Sequence, residues 1–331
     1  MRYMSVLINI TYFTTIYVGS TIYFFGFVSN LLNIRVLYSN RNNPCTFLLI
    51  YSSIVDCFVL NIGLLQRILA VGFQIDPTLS NKTWCKTRTY GLRISTVISF
   101  YMICLMSMDQ FFITCRTVRW RQLSNLSFVR SLAILITCLI AIEGLPYFIL
   151  TEIIRTASSI SCTPMYNPIF AKYASFFNIP IIFGILPLSI LVSMGLLIYY
   201  KLHNRTHLRQ AQRSLTSIIL CRIILVILSC GPYTSYFVYS AIISIIQPIR
   251  SVERLAVENF ILSIVSVFLY LTYSTAFFVH YSISSTFRKQ VLQLFKRSRR
   301  VDDVNLSQQP TQVDKTRPQN VVHAEDEVNG V

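Results

Sequence analysis

The sequence predicts an all-α membrane protein: a seven-transmembrane helix bundle, a short amphipathic eighth helix and a disordered C-terminal tail. Three observations predict it. The first is composition: 53% of the 331 residues are hydrophobic and 13% are charged, against about 25% charged in ordinary soluble domains, and mean hydropathy is +0.56. The second is spacing. No Asp, Glu, Lys or Arg occurs between Arg2 and Arg35, Lys172 and Lys201, Arg222 and Arg250, or Glu258 and Arg288. A helix crossing the bilayer core needs roughly 20 apolar residues, and each gap is long enough. Segments 46–73, 88–115 and 129–150 carry few charges and complete a set of seven. A soluble all-α core would need polar faces on these helices, and they have none. The third is alternation: the bases that give the +16 net charge cluster in every second loop, which marks the cytoplasmic side of a membrane protein, while the other side holds a few, among them Lys82, Lys86, Arg88, Arg250 and Arg254, mixed with acids. That clustering is no nucleic-acid footprint.

The elements follow in order. Residues 1–11 form a short extracellular N-terminus, too short for a hormone-capturing domain, and 12–282 the seven-helix domain. Span one covers 12–38. It follows Arg2 as a signal peptide would, but its apolar run is about twice the usual core and no small-x-small site ends it, so the reading is a retained span. "SNRNNP" turns into span two, 46–73. "QIDPTLSNKTW" leads to span three, 84–115, and the basic "RTVRWRQLSN" to span four, 128–150. A longer outer loop, 151–172, precedes span five, 173–201. The basic "KLHNRTHLRQAQR" leads to span six, 214–246, and span seven runs 256–282. In "SSTFRKQVLQLFKRSRR" the residues Phe287, Val291, Leu294 and Phe295 form one apolar helical stripe with bases on the remaining face. This predicts a membrane-surface helix over 283–298, held by its stripe and by anionic lipid. The polar tail, 299–331, reads as disordered. No lipidation motif and no internal repeat is visible.

Of nine cysteines, Cys57, Cys104, Cys138, Cys221 and Cys230 lie inside spans as small apolar fillers. Cys45 and Cys115 sit near cytoplasmic ends. Cys85 and Cys162 fall on the oxidising outer side, where they can pair. Asn81 and Asn9 begin outward sequons and are expected to accept glycans, Asn81 being the better placed. Asn125, Asn204 and Asn305 begin similar triplets on the inner side. Asp56 is an acid in the middle of span two, a functional candidate by default: a cation or proton site sharing a polar pocket with Asn30, or a neutral acid that only packs helices. Glu143 faces either polar groups or the surface. Arg222 is expected to snorkel to the cytoplasmic interface. The chain has no H-E-x-x-H, P-loop or Gly-rich dinucleotide turn, and its four histidines are scattered, so it reads as neither an enzyme nor a metalloprotein.

These residues together resemble the rhodopsin-like, class A G-protein-coupled receptors over residues 12–297. "GFVSN" is similar to the family's first helix, with Asn30 as its Asn. Pro44 and Asp56 stand twelve positions apart, the family's spacing before its sodium-site Asp. Cys85 and Asp109 stand twenty-four apart, the spacing from the disulfide Cys to the acid of D-R-Y. Cys162 fits the loop partner of Cys85. Pro146, Pro187 and Pro232 fall where helices four, five and six carry proline, and Phe287-Arg288 resembles the start of helix eight. The resemblance implies no organic cofactor, a sodium ion as an occupant of the Asp56 site, an extracellular ligand, a heterotrimeric G protein and an arrestin as partners, and a plasma-membrane location with the N-terminus outside.

The switch motifs depart from the family. D-R-Y is Asp109-Gln110-Phe111. The Arg that pairs with the acid at rest and swings to the G protein is a neutral Gln, and Asp109 is expected to turn to Arg116, Arg119 or another base of the second inner loop. Cys230 replaces the aromatic two residues before Pro232. N-P-x-x-Y falls on "AFFVH", 276–280, so His280 takes the Tyr position with Tyr281 beside it. Helix four has no Trp, and Gly195 stands at the Tyr position of helix five. Span seven has no Lys for a retinal Schiff base, and Leu92 stands where an amine receptor carries Asp. Tyr90, Arg93, Tyr236, Tyr239 and Glu258 are candidates for a ligand pocket in the bundle mouth, with a small peptide preferred. Arg93 can meet an acidic ligand group or lipid headgroups. Arg116, Arg119, Arg205, Arg209 and Arg213 are candidates for G-protein docking. Two alternatives remain: a receptor-fold decoy or scaffold that does not activate G proteins, and a transporter or channel using Asp56.

Overall fold

The computed structural model describes residues 2–115, 117–155, 160–164, 167–203, 210–246, 251–294 and 296. Among them, seven helices are long and apolar enough to cross a membrane: α1 (Met4–Asn40), α2 (Pro44–Gly72), α3 (Lys82–Thr114), α4 (Leu126–Leu150), α5 (Pro168–Lys201), α6 (Ser214–Ile243) and α7 (Glu253–Ser274). All seven predicted spans are present. The helix of α1 starts earlier than the first span suggests, since it is continuous from Arg2.

Asparagine starts four of the helices. Asn43 accepts from the amides of Cys45 and Thr46, Asn81 from Trp84, Asn125 from Ser127, and Asn167 from Ile169 and Phe170. In two cases a proline follows at the first helical position, where its missing N–H costs nothing and its fixed φ suits the helix. Both Asn81 and Asn125 are thus capping residues as well as the first residues of sequon triplets. At the far end of α2, Gln74 takes a left-handed φ of 55° while the Ile75 amide donates to Leu69. This closes the last carbonyls of the helix before the chain turns.

The helices are not uniform. Thr14–Val18, Leu60–Leu65 and Ala174–Ile185 are wound as π-helix. Pro146, Pro180 and Pro232 sit inside helices, which a bundle tolerates because neighbours re-satisfy the freed backbone groups. α7 breaks at Thr275, and the short α8 (Ala276–Ile283) resumes the helix. A helical segment follows at 285–290, in which Phe287 packs its ring edge-on against Phe277 and His280, centroids 5.5 Å away in both cases. Residues 291–294, which belong to a second compact unit, are helical. Phe295 and the tail from 297 lie outside the described residues.

Between α4 and α5 the predicted loop forms two short antiparallel strands, β1 (Glu152–Arg155) and β2 (Ile160–Thr163), with Ile153 opposite Cys162. Cys162 is bonded to Cys85 near the start of α3, with Cα atoms 5.9 Å apart, as expected. We call this the disulfide end of the bundle.

With lipid outside, helices associate through close packing and polar contacts rather than hydrophobic burial. Gly26 of α1 meets Ser274 of α7 so closely that a Cβ would stand 2.7 Å from the Ser274 Cβ. Ser29 and Asn30 of α1 donate to the carbonyls of Ser274 (3.1 Å) and Tyr273 (2.7 Å). Tyr51 of α2 bonds Thr137 of α4 at 3.0 Å, and Tyr101 of α3 donates to the Ile182 carbonyl of α5. Large apolar residues such as Phe24, Phe25, Ile134 and Leu228 remain exposed, as lipid-facing residues must be.

Candidate functional site

Three groups of polar residues stand out along the bundle. The first lies at the disulfide end, where a cavity of about 500 Å³ opens among α2, α3, α4, α5, α6 and α7. Apolar and aromatic residues line most of it, including Leu92, Phe183, Leu269 and Tyr270. Three arginines also line it: Arg67, Arg88 and Arg93. Arg93 of α3 donates through Nη2 to the side-chain and main-chain oxygens of Asn178 on α5, and its guanidinium lies 5.5 Å from the Tyr147 ring and 5.4 Å from the Phe183 ring. It therefore faces the bundle and not lipid headgroups. Asn178 in turn donates to Glu143 of α4, which also accepts from Tyr173 at 3.3 Å. Glu143 thus ties α4 to α5.

Arg93 is the one member of the predicted pocket set that lines this cavity. Tyr90 donates to the Ala141 carbonyl at 3.1 Å and packs edge-on against Phe148, joining α3 to α4. Tyr236 stands T-shaped against Phe237. Glu258 pairs with Arg254 at 3.1 Å and accepts from Tyr239 at 3.2 Å, while Arg254 donates to the Tyr239 hydroxyl at 2.9 Å. Sequence reasoning passed over Arg67 as a cavity residue. The rule that singled out Asp56 applies equally to it, since it too is an ionisable residue inside a span.

The second group is the buried centre. Asp56 of α2 accepts from Ser99 of α3 at 2.5 Å and from Ser52 at 3.4 Å. Its Oδ2 stands 3.6 Å from Nη2 of Arg222 on α6, the two side chains being 0% and 4% exposed. This corrects one expectation. Arg222 does not snorkel: it turns into the bundle, where Asp56 offers a charge that a lipid-facing path would lack. Nor does a hydrogen bond join Asn30 to Asp56 among the described residues: Asn30 donates its amide to the Gly26 and Tyr273 carbonyls. The arrangement does not fit a sodium ion at Asp56. A monovalent cation there would face a guanidinium already seated against the same carboxylate, and like charges at that range repel.

The third group lies at the end opposite the disulfide. Asp109 and Gln110 are both buried. Asp109 accepts from Ser124 at 2.5 Å. The predicted turn toward a base is not seen among the described residues: Arg119 is exposed in a short helix, Val118–Gln122, and Arg116 lies outside them. A hydroxyl from the same loop serves instead, for it can satisfy a buried carboxylate oxygen without burying a second charge. Gln110 accepts from Thr216 of α6 at 3.4 Å. The Phe111 ring lies 3.6 Å beneath Nζ of Lys201 on α5. His280 is buried with Nδ1 3.1 Å from the Asn33 oxygen of α1, and Tyr281 is half-exposed at 41%. Cys230 contacts the Thr234 hydroxyl one turn on, the two standing two residues either side of Pro232. Arg205 and Arg209 lie outside the described residues; Arg213 lies in the helix Gln210–Ile246, its side chain undescribed. Asn9 and Asn81 are exposed.

The chain is 25% identical over 232 residues, 66% of its length, to the G-protein coupled receptor homolog Q2/3L of Sheeppox virus (strain KS-1), and spans 57% of that protein. No family model matches the chain. Beside that similarity to a G-protein coupled receptor homolog, the seven helices long and apolar enough to cross a membrane support a multi-pass membrane protein.

Proposed function

We propose that the chain is a rhodopsin-like receptor whose disulfide end faces outward, receives a ligand in the 500 Å³ cavity and transmits its binding to a heterotrimeric G protein at the opposite end. The observation that carries this is the path of contacts from one end to the other. The cavity is floored by Tyr273 of α7, whose carbonyl is held by Asn30. Below it the Asp56–Arg222 pair joins α2 to α6, and further on the Gln110–Thr216 bond joins α3 to α6. A ligand that binds better when α6 has moved shifts the population toward that state. The docking surface is assigned to the basic loops around Arg116, Arg119, Arg205, Arg209 and Arg213, with an arrestin competing for it. The outer Asn81 is the preferred glycan acceptor, followed by Asn9. In cells carrying reporters for each G-protein class, a broad ligand library is expected to yield ligand- or expression-dependent signalling. Silence across every class would overturn the reading.

A second reading, a receptor-fold decoy or scaffold that does not signal, is favoured by Gln110. The neutral side chain bonds Thr216 and leaves Asp109 to Ser124, so no charged switch operates at this position. On this reading Gln110→Arg creates or raises signalling, and an unchanged output counts against it.

A further inference from the structure

We infer that the cavity at the disulfide end binds an oxyanion carried on an apolar body, with Arg67 and Arg88 as the two residues that grip it. The inference rests on the receptor reading for the claim that this cavity is the ligand's site. Among the described residues three guanidiniums line the cavity and no carboxylate does. The acids at this end have partners of their own, and Asp76 also exerts an attraction on Arg88 without forming an ion pair with it. Glu143 accepts from Asn178 and Tyr173, Glu152 pairs with Lys82 at 3.6 Å, Glu258 pairs with Arg254, and Asp76 accepts from the amide and hydroxyl of Thr78. Glu253 is exposed in the first turn of α7.

The three arginines are not equivalent. Arg93 is answered at one remove by Glu143 through Asn178 and lies over two aromatic rings. Arg67 donates to the Ser263 hydroxyl at 2.8 Å and Arg88 to the Ile62 carbonyl at 3.2 Å. Both partners are neutral, and neither arginine belongs to an ion pair among the described residues. The Nε of Arg67 is buried with no hydrogen-bond partner. Two half-buried cations that share a cavity and bond only neutral groups repel one another until an anion arrives. Guanidinium presents paired donors that match an oxyanion, and such charge-assisted bonds are about twice as strong as neutral ones. The rest of the wall sets the body of the ligand: Leu92, Ile179, Phe183, Leu269 and Tyr233 offer apolar and aromatic surface. A volume of about 500 Å³ lies within the range of small-molecule pockets, roughly 300–1,000 Å³.

The test uses the purified full-length protein in phosphatidylcholine nanodiscs, with binding read from the shift in melting temperature as each probe is titrated. The probes are 6-phenylhexanoic acid, its amide, 6-phenylhexyl phosphate, and N-acetyl-Leu-Phe as free acid and as amide. The expected result is a shift with the oxyanion forms and none with the matched amides. The tightest arm then tells a small organic acid, a phosphate ester and a peptide C-terminus apart. Arg67→Gln and Arg88→Gln each weaken binding about tenfold or more, while Arg67→Lys and Arg88→Lys, which keep the charge, retain part of it should a Gln variant fold poorly. Lys82→Gln, an exposed cation outside the cavity, leaves binding unchanged. Equal shifts with acid and amide, no shift with any probe, or full binding in both Gln variants overturns the inference. Failure of the receptor reading looks different: arginine-dependent oxyanion binding without signalling in the reporter cells leaves this site standing, and signalling driven by neutral or cationic ligands alone removes it while leaving the receptor.

Discussion

The buried pair of Asp56 and Arg222 invites a charge-removal cycle. At 3.6 Å and an effective dielectric of about 20, two unit charges attract by about 5 kcal/mol. Most of that offsets the cost of taking both ions out of water, so the pair adds little net stability. Removing one member is a different matter, because it strands the other. Arg222→Met leaves a carboxylate held by Ser99 and Ser52 alone; Asp56→Asn leaves a guanidinium in the centre of the bundle with no charge to face. Each single change is expected to cost about 3–5 kcal/mol, and the double change Asp56→Asn/Arg222→Met is expected to fall within about 1 kcal/mol of the parent. At about 2–4 °C per kcal/mol for a chain of a few hundred residues, each single variant melts on the order of ten degrees lower. The assay is thermal melting of the four proteins in nanodiscs, with surface expression in cells as a second readout. Additive losses in the double variant would show that the charges do not act on each other, as would an Asp56→Asn protein that melts with the parent, and either result refutes the reasoning.

Further expectations come from the same contacts. Melting of the parent protein is expected to be the same in sodium and potassium chloride of equal strength, while Arg222→Met, with Asp56 open to a small cation, gains stability in sodium; a sodium-specific shift in the parent would mean that Arg222 does not hold the acid. Thr216→Val removes the donor to Gln110, costs about 0.5–1.5 kcal/mol and raises basal signalling if the receptor reading holds; a reporter assay with matched surface expression decides it. Cys85→Ser opens a link between residues 77 apart, is expected to cost about 2–4 kcal/mol and is read by melting with and without reductant, the parent under reductant matching the variant. Gly63→Val places a side chain where a Cβ would stand 2.6 Å from the Tyr270 hydroxyl and 2.8 Å from Leu92. It is expected to cost about 1–3 kcal/mol by overpacking and to abolish oxyanion binding by filling the cavity wall.

The seven helices were legible because lipid imposes one rule, that a span be long and apolar, and the chain obeys it with four charge-free gaps. The disulfide was legible for a similar reason, since compartment alone reduced nine cysteines to Cys85 and Cys162. The polar contacts were harder. Arg222 lies near the end of a span, where position along the helix favours snorkelling. Only its rotation about α6, which the sequence does not carry without a partner helix to face, turns it toward Asp56. Arg67 could have been found, being an ionisable residue within a span. Its neighbour Arg88 could not, because bases near the start of α3 look like any other loop-end charges until the cavity brings them together. The hairpin Glu152–Arg155 and Ile160–Thr163 gave no sign in a segment where four-residue strands have no room for a periodic pattern.

The neutral Gln110 invites the conclusion that the inner end of the bundle has lost its charged switch. The contacts of α6 argue otherwise. At the end opposite the disulfide it is bonded to α3 by Thr216 and Gln110 without charge, but six residues further along Arg222 meets Asp56 across to α2. The charge missing at 110 thus has a counterpart at 222, moved from the rim of the bundle to its centre and from α3 to α6. An ionic tie at the rim is in reach of water and is weakened by it. One in the centre is screened much less by water and salt, so opening α6 there requires either a compensating anion contact or a shift that keeps Arg222 on Asp56 while the end beyond Thr216 moves. On the second route the weak Gln110–Thr216 bond breaks, with the ion pair acting as the pivot. Substitution of the D-R-Y arginine therefore does not by itself argue for a silent protein.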